Sequence, residues 1–237
     1  MELNRRRRIA GNPFGIDTSD PNLALYTPLW HPQSQVASGG TFYSMNKVSP
    51  VTMTNTGVTW SREGGVFGGD DYIELNDGSA SSPLNFTSQS FMINVWLKQT
   101  DLTGIRVIYQ RGLATTDGLY LMVLTTGQLD LYTNQAGVQQ RNTSENGTVV
   151  SNVPGMFTVI RDGVDVNFYK NTTLLSKINT ANVTNPSTCS RTAKIGTHDD
   201  KSQRFMIGTI FDLTIYSYAS LPKMYEIYQK TKSRNGL

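Results

Sequence analysis

Residues 64–75 read GGVFGGDDYIEL: two glycine pairs enclose Val66-Phe67, and two aspartates run into Tyr72-Ile73-Glu74-Leu75. Glycine beside carboxylate is compatible with a phosphate cradle, a metal loop or a chain reversal. A phosphate cradle places its glycines ahead of a helix, with a Lys-Ser/Thr pair or a strand–turn–helix context. Here the glycines lead into an alternating apolar/polar run, which is the pattern of a strand. The stretch therefore predicts a strand, a tight corner and a second strand. The glycines supply positive φ, and the aspartates tolerate it. Asp70 and Asp71 keep a second option as oxygen ligands for a hard cation such as calcium.

Outward from this corner the same alternation recurs. Strands are expected at 23–30, Val58–Trp60, Gly65–Phe67, Tyr72–Leu75, Ser90–Gln99, Arg106–Arg111, Leu119–Thr125, Gln128–Thr133, Val138–Asn142, Phe157–Asp162, Thr173–Ile178, Lys194–Gly196 and Gly208–Tyr218. The polar stretch between 31 and 57 has room for two short ones. In SFMINVWLKQ (90–99), Phe91, Ile93, Val95 and Leu97 fall on one face, and Met92, Asn94 and Trp96 on the other. Asp162-Gly163 between FTVIR and VDVNFYK is a strong hairpin signal, and Thr126-Gly127 between LYLMVLT and QLDLYT marks another. Only LPKMYEIYQKTK (221–232) has a helical pattern. Pro222 stands in its first turn, and Leu221, Tyr225 and Tyr228 can share a face. The sum is an all-β, two-sheet antiparallel jelly-roll sandwich with a short C-terminal helix.

Composition agrees. Charged residues make up only 16% of the 237-residue chain, which suits short strands and turns better than exposed helices. One β-sandwich can reach this length. A single cysteine, Cys189, excludes an internal disulfide framework. No apolar run is long enough to span a bilayer, so membrane insertion is not expected. MELNRRRRIAG carries no apolar core after its arginines, so a signal peptide is not expected either.

Residues 1–10 hold +3, through Arg5, Arg6, Arg7 and Arg8 against Glu2, and residues 221–237 hold another +3. The intervening body is −3. Residues 1–20 therefore read as a basic arm, suited to docking on an acidic neighbour, ahead of one sandwich domain over 21–237. Nucleic-acid binding is not expected, because the body is slightly acidic and carries no recognised motif.

LALYTPL (23–29), GVFGGDDYIEL (65–75), SFMINVWL (90–97), GLYLMVLTTGQLDLY (118–132), FTVIRDGVDVNFYK (157–170) and GTIFDLTIYSYAS (208–220) together resemble the concanavalin A-like lectin/glucanase superfamily in its laminin-G-like form. The resemblance covers about residues 20–230 and rests on strand pattern. Two departures stand out. Gly155-Met156-Phe157 occupies the place where the family usually has Trp-His-His, and the paired cysteines of secreted relatives are missing. The fold implied is the jelly-roll sandwich, which carries lectins, enzymes and spacers alike.

Glycoside hydrolysis needs two carboxylates spaced across the scissile bond. Glucanases of this fold take them from one strand written Glu-x-Asp-x-Glu or Glu-x-Asp-x-x-Glu. Glu63, Glu74 and Glu145 stand outside any such motif, so no catalytic residue and no enzyme activity are expected. Neither His31, His198 nor Cys189 lies in a nucleophile motif. Calcium ligands, if present, would come from Asp70, Asp71, Asp199 and Asp200, with Asp117 in a further loop. For glycan stacking, Trp30, Trp60, Tyr109 and Tyr120 are the candidates, with Tyr132 also available.

Modules of this resemblance recur in bacteriophage particles. The leading expectation is thus a non-enzymatic virion structural protein, a capsid decoration or tail/fibre component assembled in the host cytoplasm. Its partners would be other virion proteins, through the arm, and host-surface glycans. A free carbohydrate-binding module is the second expectation, and a glucanase-like hydrolase the third.

Overall fold

The computed structural model describes residues 15–113, 116–135, 138–180 and 185–235. Arg5–Arg8 lie outside the described residues. Among those described, the strands are β1 (Leu23–Pro28), β2 (Thr41–Tyr43), β3 (Thr52–Thr56), β4 (Thr59–Trp60), β5 (Gly65–Gly68), β6 (Tyr72–Leu75), β7 (Phe91–Gln99), β8 (Arg106–Arg111), β9 (Leu119–Val123), β10 (Leu129–Gln135), β11 (Val138–Ser144), β12 (Gly155–Asp162), β13 (Asp165–Lys170), β14 (Thr173–Leu174), β15 (Lys177–Thr180), β16 (Ala193–Ile195) and β17 (Ile207–Tyr216). Helix α1 spans Leu221–Thr231.

The strands build two antiparallel sheets. The first runs β14-β13-β12-β7-β17-β5-β4, with β1 also paired to β17. β17 is long enough to serve two neighbours on one edge. Its first half pairs with β5 and its second half with β1, while β7 takes the other edge. The second sheet runs β15-β11-β10-β9-β8-β16-β6-β3-β2. The GGVFGGDDYIEL corner is the crossing between them, since β5 belongs to the first sheet and β6 to the second. Gly69 turns it with φ of +114°, and the Asp71 carboxylate accepts from Gly68 N–H. The corner packs tightly against the β3–β4 turn, where a β-carbon on Gly57 would lie 2.1 Å from Asp71 Oδ1.

Between the sheets sits one continuous apolar layer. Phe91, Ile93, Val95 and Leu97 of β7 enter it with Phe157, Val159, Leu213, Ile215, Leu121 and Leu131. Burial of each such side chain stabilises the fold by roughly 1.5–3 kcal/mol. Met92 and Trp96 face the opposite way, as the alternation requires, yet they too are buried, in a second cluster on the outer side of the first sheet. Helix α1 covers that side. Ser220 caps it, accepting from Lys223 N–H at 3.2 Å, and Pro222 occupies its first turn. The face it buries is Met224, Ile227 and Thr231, with Tyr228 alongside. Leu221 and Tyr225 point to solvent, so the expected Leu221/Tyr225/Tyr228 stripe is corrected by about a third of a turn.

Three further differences have local causes. The expected strand 173–178 is two strands, β14 on the edge of the first sheet and β15 on the edge of the second, with the chain changing sheets between them. The sandwich also starts before residue 21. Ile16 is buried in the outer cluster, and Lys47 N–H donates to Thr18 carbonyl. Strand β8 carries a bulge between Val107 and Tyr109, which turns Ile108 and Tyr109 both into the core and Val107 outward.

Candidate functional site: the outer face of the nine-stranded sheet

The four aromatic candidates do not converge. Tyr109 is fully buried in the inter-sheet core because of the β8 bulge, and it presents no ring face to a ligand. Trp60 is half-buried at the sandwich rim, edge-on to Phe42, and donates to Val36 carbonyl at 2.6 Å. Trp30 lies near the C-terminal tail, with the Arg234 guanidinium 4.4 Å from its ring centroid and Asp212 Oδ1 accepting from its Nε1 at 3.1 Å. Tyr120 alone of the four stands on the outer face of the second sheet, and the His198 ring covers it at 6.2 Å.

Nor do the aspartates make a donor set. Asp71 serves its own turn, whereas Asp199 and Asp200 belong to the loop after β16. Asp199 bridges Lys194 at 2.8 Å and Arg191 at 3.0 Å. Asp200 accepts from Ser202 N–H and the Gln203 amide, with His198 Nδ1 3.2 Å away. Partial burial pushes its carboxyl up, and those hydrogen bonds outweigh it and bring the pKa down to about 2. Among the described residues no group of three or more His, Cys, Asp or Glu side chains is placed to hold a metal ion.

What the second sheet turns outward is a charged and aromatic set, much of it buried: Lys194, Tyr120, Met122, Asp130 and Thr143 are each no more than 3% exposed, while Tyr132 and Arg141 stay partly open. Period two sends Tyr72 and Glu74 of β6, Lys194 of β16, Tyr120 and Met122 of β9, Asp130 and Tyr132 of β10, and Arg141 and Thr143 of β11 outward. On the β6/β16 side, Lys201 binds Glu74 at 2.8 Å and lies 5.6 Å from the Tyr72 ring. Burial pushes the Glu74 carboxyl up, but hydrogen bonds from Lys201 and Thr192 hold it below its ordinary range. Glu74 is therefore ionised and occupied, unlike a general acid. Glu63 pairs with Lys98 in another region, at 3.1 Å.

On the β10/β11 side, Tyr132 and Arg141 are direct cross-strand partners, and the guanidinium lies 5.2 Å from the ring centroid. Arg141 Nε donates to both oxygens of buried Asp130, at 2.9 and 3.1 Å, and Thr143 Oγ1 donates at 2.6 Å. Burial nevertheless leaves the Asp130 carboxyl above its ordinary range. Tyr132 stays partly open beside an apolar floor of Val107, Tyr120 and Met122. The floor's other wall is the loop between β16 and β17, anchored where Val107 N–H donates to Arg204 carbonyl at 2.9 Å.

Arg141 and Arg204 had no place among the sequence candidates. Arg141 was within reach, because the register of the β10–β11 hairpin sets it opposite Tyr132. Arg204 stands in a polar loop, KSQRFM, with no local signal.

A two-sheet sandwich with one outer face roofed by its own helix and the other charged and aromatic, open in part at Tyr132 and Arg141, defines a lectin-like jelly-roll domain. The family model described as the concanavalin A-like lectin/glucanases superfamily, laminin G type, matches residues 67–223. The chain belongs to that superfamily. No curated protein sequence matches the chain. Among solved structures, the receptor binding domain of botulinum neurotoxin D aligns with a TM-score of 0.64 at 13% identity, over 88% of this chain and 52% of that one. The serotype D ligand binding domain in complex with N-acetylneuraminic acid aligns at 0.62 and 13%, over 88% and 50%. A Trypanosoma rangeli sialidase in complex with 2,3-difluorosialic acid aligns at 0.65 and 11%, over 93% of this chain and 34% of that one. The chain thus spans about half the length of the neurotoxin chains and about a third of the sialidase chain, and the likeness is one of fold.

Proposed function

We propose that this domain is a non-catalytic glycan-recognition module that binds through the outer face of its nine-stranded sheet. The observation that carries the reading is the pairing on that face of a partly open Tyr132 with Arg141, above a wall of tyrosine, methionine and valine. An aromatic ring beside fixed hydrogen-bond donors is what a pyranose needs, an apolar surface for its C–H face and partners for its hydroxyls. Support also comes from fold neighbours whose structures hold N-acetylneuraminic acid and difluorosialic acid. Binding without hydrolysis is favoured by the state of the acids there, each tied to a lysine, arginine or hydroxyl.

A glycan array probed with the purified chain tests this. Binding to at least one sugar class is expected, lost in Tyr132→Ala. An array with no binding overturns it, and release of sugar from a bound glycan overturns its non-catalytic part. The setting we propose is the surface of a virion, as decoration or attachment protein, with Arg5–Arg8 docking on an acidic virion subunit. Removing residues 1–14 is expected to abolish particle incorporation and to leave glycan binding intact. Normal incorporation would overturn the docking role and favour a free carbohydrate-binding module.

A further inference from the structure

We infer that the sugar held on this face is an acidic one, a sialic or uronic acid, whose carboxylate is received by Arg204 beside Arg141. The inference rests on the glycan-binding reading above and adds the ligand's chemical class.

Arg204 is the feature on this face that the fold does not account for. It is half-buried, yet its guanidinium makes no hydrogen bond or ion pair to any described residue. The other cations of the face are all engaged: Arg141 with Asp130, Lys194 and Arg191 with Asp199, Lys201 with Glu74. A half-buried guanidinium has given up part of its hydration, and without a partner that loss is uncompensated. Arg204 is also held at φ of +56°, in the left-handed region that a β-carbon disfavours. A backbone outlier of this kind persists where the surroundings over-determine it, and such positions cluster at ligand clamps.

Its position fits the role. The Arg204 carbonyl accepts from Val107 N–H at 2.9 Å, which sets its loop beside the floor that Val107 shares with Tyr120 and Tyr132, and the Arg141 guanidinium lies 5.2 Å from the Tyr132 ring. Arg141 and the loop that carries Arg204 therefore border the same partly open ring. The neighbouring wall also has polar capacity to spare. Gln110 and Tyr120 are cross-strand partners, and each keeps a buried polar atom, Oε1 and Oη, without a hydrogen bond to a described residue. A guanidinium matches a carboxylate with two parallel N–H···O bonds, which a lysine cannot reproduce. The carboxylate of an acidic sugar supplies the missing partner while its ring lies beside Tyr132.

The test uses the full chain and two probes, a sialyl-oligosaccharide and an oligogalacturonate, each against its neutral carboxyl methyl ester. At least one acid form is expected to bind, and its ester at least tenfold more weakly. Arg204→Gln is expected to lose about as much as esterification does, and Arg204→Lys most of it. Arg204→Gly separates ligand contact from folding, because glycine relieves the positive φ. Its melting temperature is expected to match or exceed the parent's while acid-sugar binding falls at least tenfold. Equal binding of acid and ester, or full affinity in Arg204→Gly, overturns the acidic-sugar inference. With Tyr132→Ala still abolishing that binding, the glycan reading would survive it. Preference for a sulfated sugar over both carboxylated probes also overturns the class. Binding of no sugar in any form overturns both readings together.

Discussion

The two outer faces of the sandwich begin from the same rule and end differently. In both sheets the period of two sends every second side chain away from the inter-sheet core. On the first sheet those side chains are Tyr26, Met92, Trp96, Met156, Ile160, Phe211 and Tyr216, and α1 lies on them. On the second sheet they are lysines, arginines, acids, threonines and tyrosines with a small apolar floor. The first face is a second core. Among the described residues no secondary-structure element lies over the second, and the β16–β17 loop borders it. Alternation alone does not separate a face buried by a helix from one that stays partly open; the chemistry of the outward set does.

The sharpest way to break this contrast is Trp96→Ala. Trp96 is fully buried, stacks on Tyr228 at 5.9 Å and donates to Thr231 Oγ1 at 2.8 Å. A loss of about 3–5 kcal/mol is expected in urea unfolding. A change below about 1 kcal/mol would mean that the helix only rests on the sheet. Met224→Ala, on the helix side of the same contact, is expected to lose about 2–4 kcal/mol and to expose dye-binding apolar surface. Ser220→Ala removes the cap of that helix, with about 1 kcal/mol lost and no effect on glycan binding. Tyr132→Ala, the counterpart on the open face, should shift stability by less than about 1 kcal/mol while removing binding.

The smallest effect concerns the loop bordering the open face. The Asp200 carboxyl titrates at about 2 in the folded chain, below the roughly 3.9 of an unfolded aspartate. A depressed pKa gives stability that is present above about pH 4 and is lost as the pH falls through 2. Asp200 is partly exposed, so screening limits this to less than about 1 kcal/mol. Asp200→Asn is expected to lower the melting temperature slightly at pH 7 and to flatten its profile between pH 4 and 2, where variant and parent converge.

Much of the fold was legible because short-range chemistry set it. The Asp162-Gly163 and Thr126-Gly127 reversals, the two-sided burial of 91–97 and the glycine corner at 68–71 all follow from turn chemistry and period two. The helix was located by its proline and its period, but its buried face was misread. Tyr225 and Leu221 are as apolar as Met224 and Ile227, and only the position of the sheet decides among them. Tyr109 failed as a candidate because a bulge shifts the alternation by one residue, and no residue type announces a bulge in β8. The open face was the least legible part. It gathers β6, β8, β9, β10, β11, β16 and a loop, and its least satisfied member, Arg204, owes its place to a backbone angle. Sequence candidates chosen by type, four aromatics and four aspartates, were therefore scattered over the rim, the core and both faces.

Strand β17 has a consequence for the order of assembly. Its partners all come from far earlier in the chain, β1 through Leu23↔Tyr216 and Pro28↔Asp212, and β5 and β7 from residues 65–99. The middle of the first sheet therefore cannot close until residues 207–216 have been synthesised. Until then β7 holds one unpaired edge and an uncovered row of Met92 and Trp96, since the roofing helix follows β17. Pairings this distant in sequence make for slow closure and a long-lived open intermediate. Chaperone demand and inclusion-body formation should accordingly track the emergence of residues 207–231 more than the stability of the finished sandwich.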